Sequence, residues 1–477
     1  MIIAFTLHII DGCKEFILPE VEEVSYQRYL ELRELYPCFI YEGFTIKESD
    51  LSFDVTYRYT LQGKEGDVPL YHTFTLEKNF TQINCDPKLI ENAIFHLGLV
   101  ESVNYWKAVC SPKLIIKPFQ LEKEQRAFWE KLFYHGLGEF LYCNGIYGYI
   151  KAEDFVSLEC DKAAPVLTGA MACSLKGNLI PVGGGKDSIV SLELLKDHFD
   201  HNTVFLLDPR KAAVDSALCA GYTREKSLVC HRVFDPTLFD FNKRGYLNGH
   251  IPYSAVLAFC ALLTALLAGR RHIILSNEGS ANEPTVPDTL VNHQYSKTFE
   301  FEKDFSEYVH AFITPSMDYF SLLRPWSEMR ITQEFARYSK YHDLFRSCNR
   351  GSKENKWCGA CPKCLFVFIL LASELGVEET SQIFGSRVLE NKDLIPVLEE
   401  LTGVSPVKPF ECVGTVSESV HALDVILSRY ENPSKAPLLL EHFASIRDRI
   451  NDAPMVYIDP DAPNLIPEEF RKLVLGE

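Results

Sequence analysis

Residues 179–188 read LIPVGGGKDS, and these positions decide the fold. The apolar run Leu179-Ile180-Pro181-Val182 predicts a short buried strand, and Ile189–Leu195 behind it predicts a helix. Between them stand Gly183, Gly184 and Gly185, which let the backbone take positive φ and bring its amides close to a bound group. The unpaired N–H groups and dipole of a helix start then make a seat for phosphate. In such a seat Lys186 offers a point charge, Ser188 a hydroxyl, and Asp187 a ligand for the magnesium that accompanies a nucleotide.

Several phosphate loops compete for this stretch. A Walker A loop requires glycine where Ile180 stands and Ser or Thr where Asp187 stands, so that reading fails. A dinucleotide fingerprint accommodates Gly183 and Gly185 but meets Ser188 at its third glycine, with Asp208 at a tolerable distance for a ribose contact. An ordinary strand–helix turn is the plain alternative. The better match is the PP-loop of ATP pyrophosphatases, SGGxDS, which the stretch resembles at Gly184, Gly185, Asp187 and Ser188. Gly183 replaces the first serine and removes one hydroxyl from the phosphate.

Outward from the loop, strands alternate with helices: strand 179–182, helix 188–199, strand 203–207, helix 211–221, strand 227–233, helix 253–269, strand 272–276 and strand 319–323. That alternation predicts an α/β fold with a doubly wound parallel sheet and ligands at the carboxyl ends of its strands. The segment Asn277–Glu283, with Glu278 and Glu283, follows one such end, and Leu323-Arg324-Pro325-Trp326 follows another. Arg324 resembles the arginine of an Arg-Pro-Leu stretch in the PP-loop group, suited to a phosphate oxygen; an ion pair is its alternative.

Four of the fifteen cysteines cluster as Cys348, Cys358, Cys361 and Cys364, a C-x9-C-x2-C-x2-C array. Four thiolates at these spacings close a tetrahedral zinc site. An iron–sulfur cluster is the rival, although a ferredoxin run would carry a further cysteine where Phe368 stands. The remaining cysteines are scattered and the N-terminus has no basic leader, so the chain reads as a reduced, cytoplasmic protein.

The 477 residues allow two or three domains, read as an α+β N-terminal domain (1–165), a PP-loop domain with the four-cysteine metal site (170–375) and a mainly helical C-terminal region (376–477). The first is β-rich, with strands at 2–9, 15–18, 51–61 and 71–76 and helices at 87–100 and 122–141, and carries no spacing that translates into chemistry. A net charge of −17 argues against nucleic-acid binding. Against that balance, residues 209–250 hold seven Lys or Arg and four Asp or Glu, fit for a polyanionic substrate or for solvated helix faces. The apolar run Tyr253–Gly269 is marginal for a membrane span and reads as a buried helix.

Seven phrases in order, PVGGGKDS, SNEGSANEPTV, NHQYSKTFEFE, YFSLLRPWSE, WCGACPKCLFVF, IFG and KPFECVGT, resemble the MurL family over about residues 175 to 415. The family comprises UDP-N-acetyl-α-D-muramoyl-L-alanyl-L-glutamate epimerases of bacterial peptidoglycan synthesis. The resemblance implies an ATP-dependent inversion of the terminal L-Glu of UDP-MurNAc-L-Ala-L-Glu through carboxylate adenylation, with AMP and pyrophosphate released. It implies ATP and Mg2+ at the loop and structural Zn2+ at the cysteines. A PP-loop followed by a cysteine array also resembles QueC, an ATP-dependent amide and nitrile synthetase, which is the alternative activity. Cys412 is the leading candidate for moving the Cα proton, with a small buried hydrophobe as its alternative. Glu411, Glu278, Glu283 and His293 are further acid–base candidates, against capping or turn formation. Asn292, Tyr295, Ser296 and Lys297 are candidate substrate contacts.

Overall fold

The computed structural model describes residues 19–80, 85–451 and 453–476. The strands expected at 2–9 and 15–18 lie outside the described residues. Ten strands form one continuous sheet: β1 (Cys38–Glu48), β2 (Ser52–Gln62), β3 (Val68–Glu77), β4 (Lys113–Ile116), β5 (Ser157–Cys160), β6 (Asn178–Pro181), β7 (Asn202–Leu207), β8 (Ser227–Phe234), β9 (His272–Leu275) and β10 (Asp318–Ser321). Their spatial order is β10-β9-β6-β7-β8-β3-β2-β1-β4-β5. The block from β10 to β8 is parallel, and the glycine turn leaves β6 where the strand order reverses between β6 and β9. The β8–β3, β3–β2 and β2–β1 pairs are antiparallel, and β1–β4 and β4–β5 are parallel again. The fold is therefore a mixed α/β sheet, mostly parallel, in which the β-rich N-terminal strands extend the loop-bearing sheet instead of forming one of their own.

The alternation of side chains along a strand explains how this sheet is covered on both faces. Leu179, Phe205, Ile273 and Tyr319 enter one core with the helices Pro87–Glu101, Tyr253–Ala268 and Phe299–Phe312. Ile180, Val204, Leu206, Ile274 and Phe320 enter the other, with the helices Lys186–Leu194, Glu328–Ala336, Pro362–Leu375 and Val416–Leu427. The helix Tyr253–Ala268 is apolar all round because it is buried, and Gly269 ends it at φ +70°. Among the described residues no helix is long and apolar enough to cross a membrane. After residue 376 the regular elements are helical, as expected.

Two local differences from the sequence reading bear on the site. The helix after the glycines begins at Lys186 and stops at Leu194, so Lys186 and Asp187 are in its first turn. The helix expected over 122–141 breaks at Leu137 into Lys123–Gly136 and Gly138–Cys143. Glycines flank that break because neighbouring chain passes close: a Cβ on Gly136 would sit 2.8 Å from Pro252, and one on Gly138 3.5 Å from the Cα of Val291. The segments carrying His250 and His293 are thereby pressed against Glu139.

The antiparallel seam between β3 and β8 is held by buried charge. The Arg232 guanidinium donates to Asp208 at 2.7 Å and lies 3.6 Å from Glu101, while His72 lies 3.4 Å from Glu101. Burial holds the His72 imidazole below its ordinary range despite Glu101, so this histidine is neutral and Arg232 is the cation of the seam. Removing one member of a buried pair leaves the other charge uncompensated. Glu101→Ala is expected to lower unfolding stability by about 3 kcal/mol, read as a lower denaturant midpoint at unchanged slope.

Candidate active site

The turn after β6 is shaped by Gly184, at φ +82°, where an added Cβ would meet the amide of Ala213 at 2.4 Å. Only glycine lets the turn pass so close to the helix Lys211–Cys219. The opposite side of the turn is open, since a Cβ on Gly183 would meet nothing within 4 Å. Gly185 caps the helix in extended conformation, the Gly184 carbonyl accepts from the Arg346 amide at 2.9 Å, and Ser188 Oγ donates to the Gly185 carbonyl at 3.0 Å. A rigid backbone cradle, open on one side and continued by a helix start, fits a phosphate chain.

Lys186 does not reach outward. It is buried and ion-paired to Asp187 at 2.5 Å and to Glu328. Asp187, Glu278 and Glu328 bring carboxylate oxygens within 4.8 Å of one another. Glu328 is itself placed by Glu418, which accepts its amide at 2.7 Å while capping Thr415. Lys186 is paired directly with two of these three carboxylates, Asp187 and Glu328. Burial, with Asp187 and Glu278 close by, pushes Glu328 up to about 8 although Lys186 opposes the shift. Burial would also raise Asp187, but Lys186, Lys363 and Lys297 outweigh it and keep that carboxylate ionised. Such a donor set of hard oxygens fits a divalent cation such as magnesium. Glu328 escaped the sequence reading because only the close approach of the helix Glu328–Ala336 to the glycine turn brings it here.

Beside this cluster stands a thiol. Lys297 Nζ donates to Cys412 Sγ at 3.2 Å, and Lys363 Nζ donates to the Cys412 carbonyl. Burial acts to raise the Cys412 thiol, but Lys297, a hydrogen bond from His293 and Lys363 bring it down to about 5. His293 Nδ1 in turn lies 2.5 Å from Glu139 Oε2, and Glu139 is also 3.6 Å from His250. Burial would lower His293, yet its bonds to Cys412 and Glu139 push it up to about 10, while burial and the neighbouring His293 hold His250 well below the imidazole range. Glu411 accepts from Asn349 at 2.6 Å, and burial raises its carboxyl. Lys297 and Lys363 act on both Asp187 and Cys412, so the phosphate cradle and the thiol share one electrostatic field.

The other sequence candidates hold the walls. Arg324 is fully buried, donating to the carbonyls of Glu278 and Lys297 at 2.8 Å and to Glu302 at 2.7 Å. It ties two site segments together and is ion-paired to Glu302. Glu283 pairs with Lys408 at 3.3 Å. Asn292 bonds the Ala281 carbonyl and the Gln294 amide, Tyr295 stacks on His135, and Ser296 is buried. Glu139 was invisible in the sequence, since its own segment shows no motif and its partners lie more than a hundred residues away.

Cys348, Cys358, Cys361 and Cys364 gather their sulfurs within 4.8 Å, with Cys348–Cys361 at 3.9 Å and Cys358–Cys364 at 3.6 Å. Tetrahedral zinc with sulfur at ~2.3 Å sets its ligands about 3.8 Å apart, so the spacing fits. Amides of Gly351 and Cys364 donate to two of the sulfurs, as thiolates require. Four cysteines would fill every position of the ion, which would make it structural. The helix Pro362–Leu375 starts inside the cluster and carries Lys363 to Cys412.

Against known proteins, the family model described as the MurL N-terminal domain matches residues 31–322, and that of the MurL C-terminal domain matches residues 344–454. The chain belongs to the MurL family. Three relatives bear the name UDP-N-acetyl-alpha-D-muramoyl-L-alanyl-L-glutamate epimerase. The protein of Xanthomonas oryzae pv. oryzae is 37% identical over 350 residues, covering 72% of this chain and 76% of its own. That of Salinispora tropica is 32% identical over 389 residues (79% and 83%), and that of a Micromonospora species 33% over 386 residues (79% and 84%). No solved structure matches the chain. The N-terminal MurL model takes in all ten strands with the glycine turn, and the C-terminal one holds the four cysteines and Cys412.

Two outcomes are expected of this MurL site. Elemental analysis of the purified chain should find about one zinc per chain, and Cys361→Ser should remove it and lower the melting temperature. Alkylation of Cys412 by iodoacetamide, followed by peptide mass spectrometry, should reach half its plateau rate near pH 5. Lys297→Met, which deletes the ammonium, should shift that midpoint upward and slow alkylation at pH 6 about tenfold, as a pKa change of about two predicts.

Proposed function

We propose that the chain is an ATP-dependent epimerase that inverts the terminal L-Glu of UDP-MurNAc-L-Ala-L-Glu through carboxylate adenylation. The observation that carries this reading is the pair Lys297 and Lys363, both bonded to the half-buried Cys412 and both acting on Asp187 at the glycine turn. The epimerase name that the three relatives bear supports the substrate.

The chemistry needs both halves. A Cα proton beside a free carboxylate resists removal, because the carbanion would form next to an existing negative charge. In the first step a carboxylate oxygen of the glutamate attacks the α-phosphorus of ATP, and pyrophosphate leaves. The resulting acyl-adenylate has lost its charge and withdraws electrons from Cα. The Cys412 thiolate then takes the Cα proton, and return of a proton to the opposite face inverts the centre. Water finally cleaves the acyl-adenylate, releasing AMP and the inverted acid. Gly183, Gly184, Gly185 and Ser188 shape the cradle for the β,γ-phosphates, and Lys186 offsets charge there once its carboxylate partners turn to a cation. Magnesium, held by Asp187, Glu278 and Glu328, would supply charge neutralisation for the departing pyrophosphate. Zinc on the four cysteines would hold the start of the helix that delivers Lys363.

In heavy water, deuterium is expected at the glutamate Cα only when ATP and magnesium are present, with D-Glu found on chiral analysis of the hydrolysed product. Exchange that proceeds without ATP would defeat the reading. Cys412→Ala should reduce deuterium entry by at least ~100-fold, the usual contribution of a general base.

A further inference from the structure

The triad Glu139–His293–Cys412 spans the two ends of the chain. Glu139 lies in the helix Gly138–Cys143, His293 after the loop that follows β9, and Cys412 ahead of the helix Val416–Leu427. The Glu139 and His293 side chains are 15% and 9% exposed, so their contact is largely shielded from water. Two readings compete, because Glu139, His250 and His293 together also resemble a metal-binding set. A tetrahedral ion bound at ~2.0–2.1 Å would hold its nitrogen and oxygen ligands about 3.3 Å apart. The observed 2.5 Å between His293 Nδ1 and Glu139 Oε2 is instead a charge-assisted hydrogen bond. His250 lies tilted against His293 at 4.3 Å between ring centroids, and Lys107 is bonded to the neighbouring Gly249 carbonyl.

We infer that Glu139 is a positioning residue that fixes the orientation and protonation of His293, so that a protonated imidazole holds Cys412 as the thiolate. The inference deepens the proposed proton transfer and rests on it for its role in the reaction. The arrangement follows a general logic: a carboxylate on one ring nitrogen orients the imidazole and stabilises its charged form, and that form supports an adjacent anion. It also gives the N-terminal strands and helices a part in the chemistry, since Gly136 and Gly138 are what allow Glu139 to approach the His250 and His293 segments. The charged and titratable groups facing the triad are Lys107 and His250 on one side, and Lys297, Lys363 and Glu411 on the other.

The test uses the full chain without ATP or substrate and reads the pH dependence of Cys412 alkylation by iodoacetamide, with circular dichroism confirming the fold of each variant. Glu139→Gln and His293→Gln are each expected to slow alkylation at pH 6 about tenfold, which corresponds to a thiol pKa raised by about two. The double variant should be no slower than His293→Gln alone, because Glu139 acts only through the imidazole. A Cys412 profile unmoved by Glu139→Gln overturns the inference, as does an ordinary thiol profile in the parent chain. Additive effects in the double variant overturn it as well, since they would assign Glu139 a separate structural role. Because the assay omits ATP and substrate, it can fail while the epimerase reading stands, and succeed while that reading falls.

Discussion

The ammonium of Lys297 is the charge on which the site depends. It lies half-buried against Cys412, where loss of water alone would weaken its hold on its proton; Cys412, Glu278 and Asp187 keep it charged. The reverse holds equally, since a thiol in this position would stay neutral without a cation beside it. Unpaired charge in a low-dielectric interior is costly, so neither group is stable in its charged form alone. Lys363 adds a second cation from the helix that begins in the cysteine cluster. Folding the two lysines between the carboxylates and the thiol therefore joins the glycine turn and Cys412 in one site.

The continuous sheet explains why those halves meet. The parallel block supplies the glycine turn and the loops after β9 and β10, which carry Glu278, His293, Lys297 and Glu328. The antiparallel seam at β3–β8, closed by Arg232, Asp208 and Glu101, joins the N-terminal strands to that block. The break at Leu137 then lets Glu139 reach His293. Arg324 works on the same principle, fastening the Glu278 and Lys297 segments through their carbonyls. The charges of the site are local, but the distances between them are set by the whole sheet.

Local signals carried the parts of this arrangement that are close in sequence. The glycine turn, the cysteine array and the buried helix from Tyr253 are each written in neighbouring residues and stand where expected. The prominence of Cys412 followed from its place outside the array, and its lysine partner at position 297 was already a candidate. What was not legible depends on tertiary approach. Glu139 and His250 have no motif of their own, and Lys363 and Glu328, although inside quoted phrases, become site residues only when distant segments pack. The single sheet was hidden for the same reason: only β2 and β3 among its N-terminal strands were read as strands, β1, β4 and β5 were not, and nothing there announces pairing with β8. Lys186 shows the limit of motif reading most sharply, because the residue beside the glycines faces inward to Asp187 and Glu328.

The central claim is that nucleotide transfer to the glutamate carboxylate and proton transfer at its neighbouring carbon are separate acts of one site. The most direct measurement uses Cys412→Ala with substrate labelled by oxygen-18 in the terminal carboxylates, together with ATP and magnesium. The account predicts that mass spectrometry finds labelled AMP carrying one oxygen from the substrate, while the recovered glutamate remains the L isomer. Unlabelled AMP, or D-Glu formed without the thiol, would contradict it.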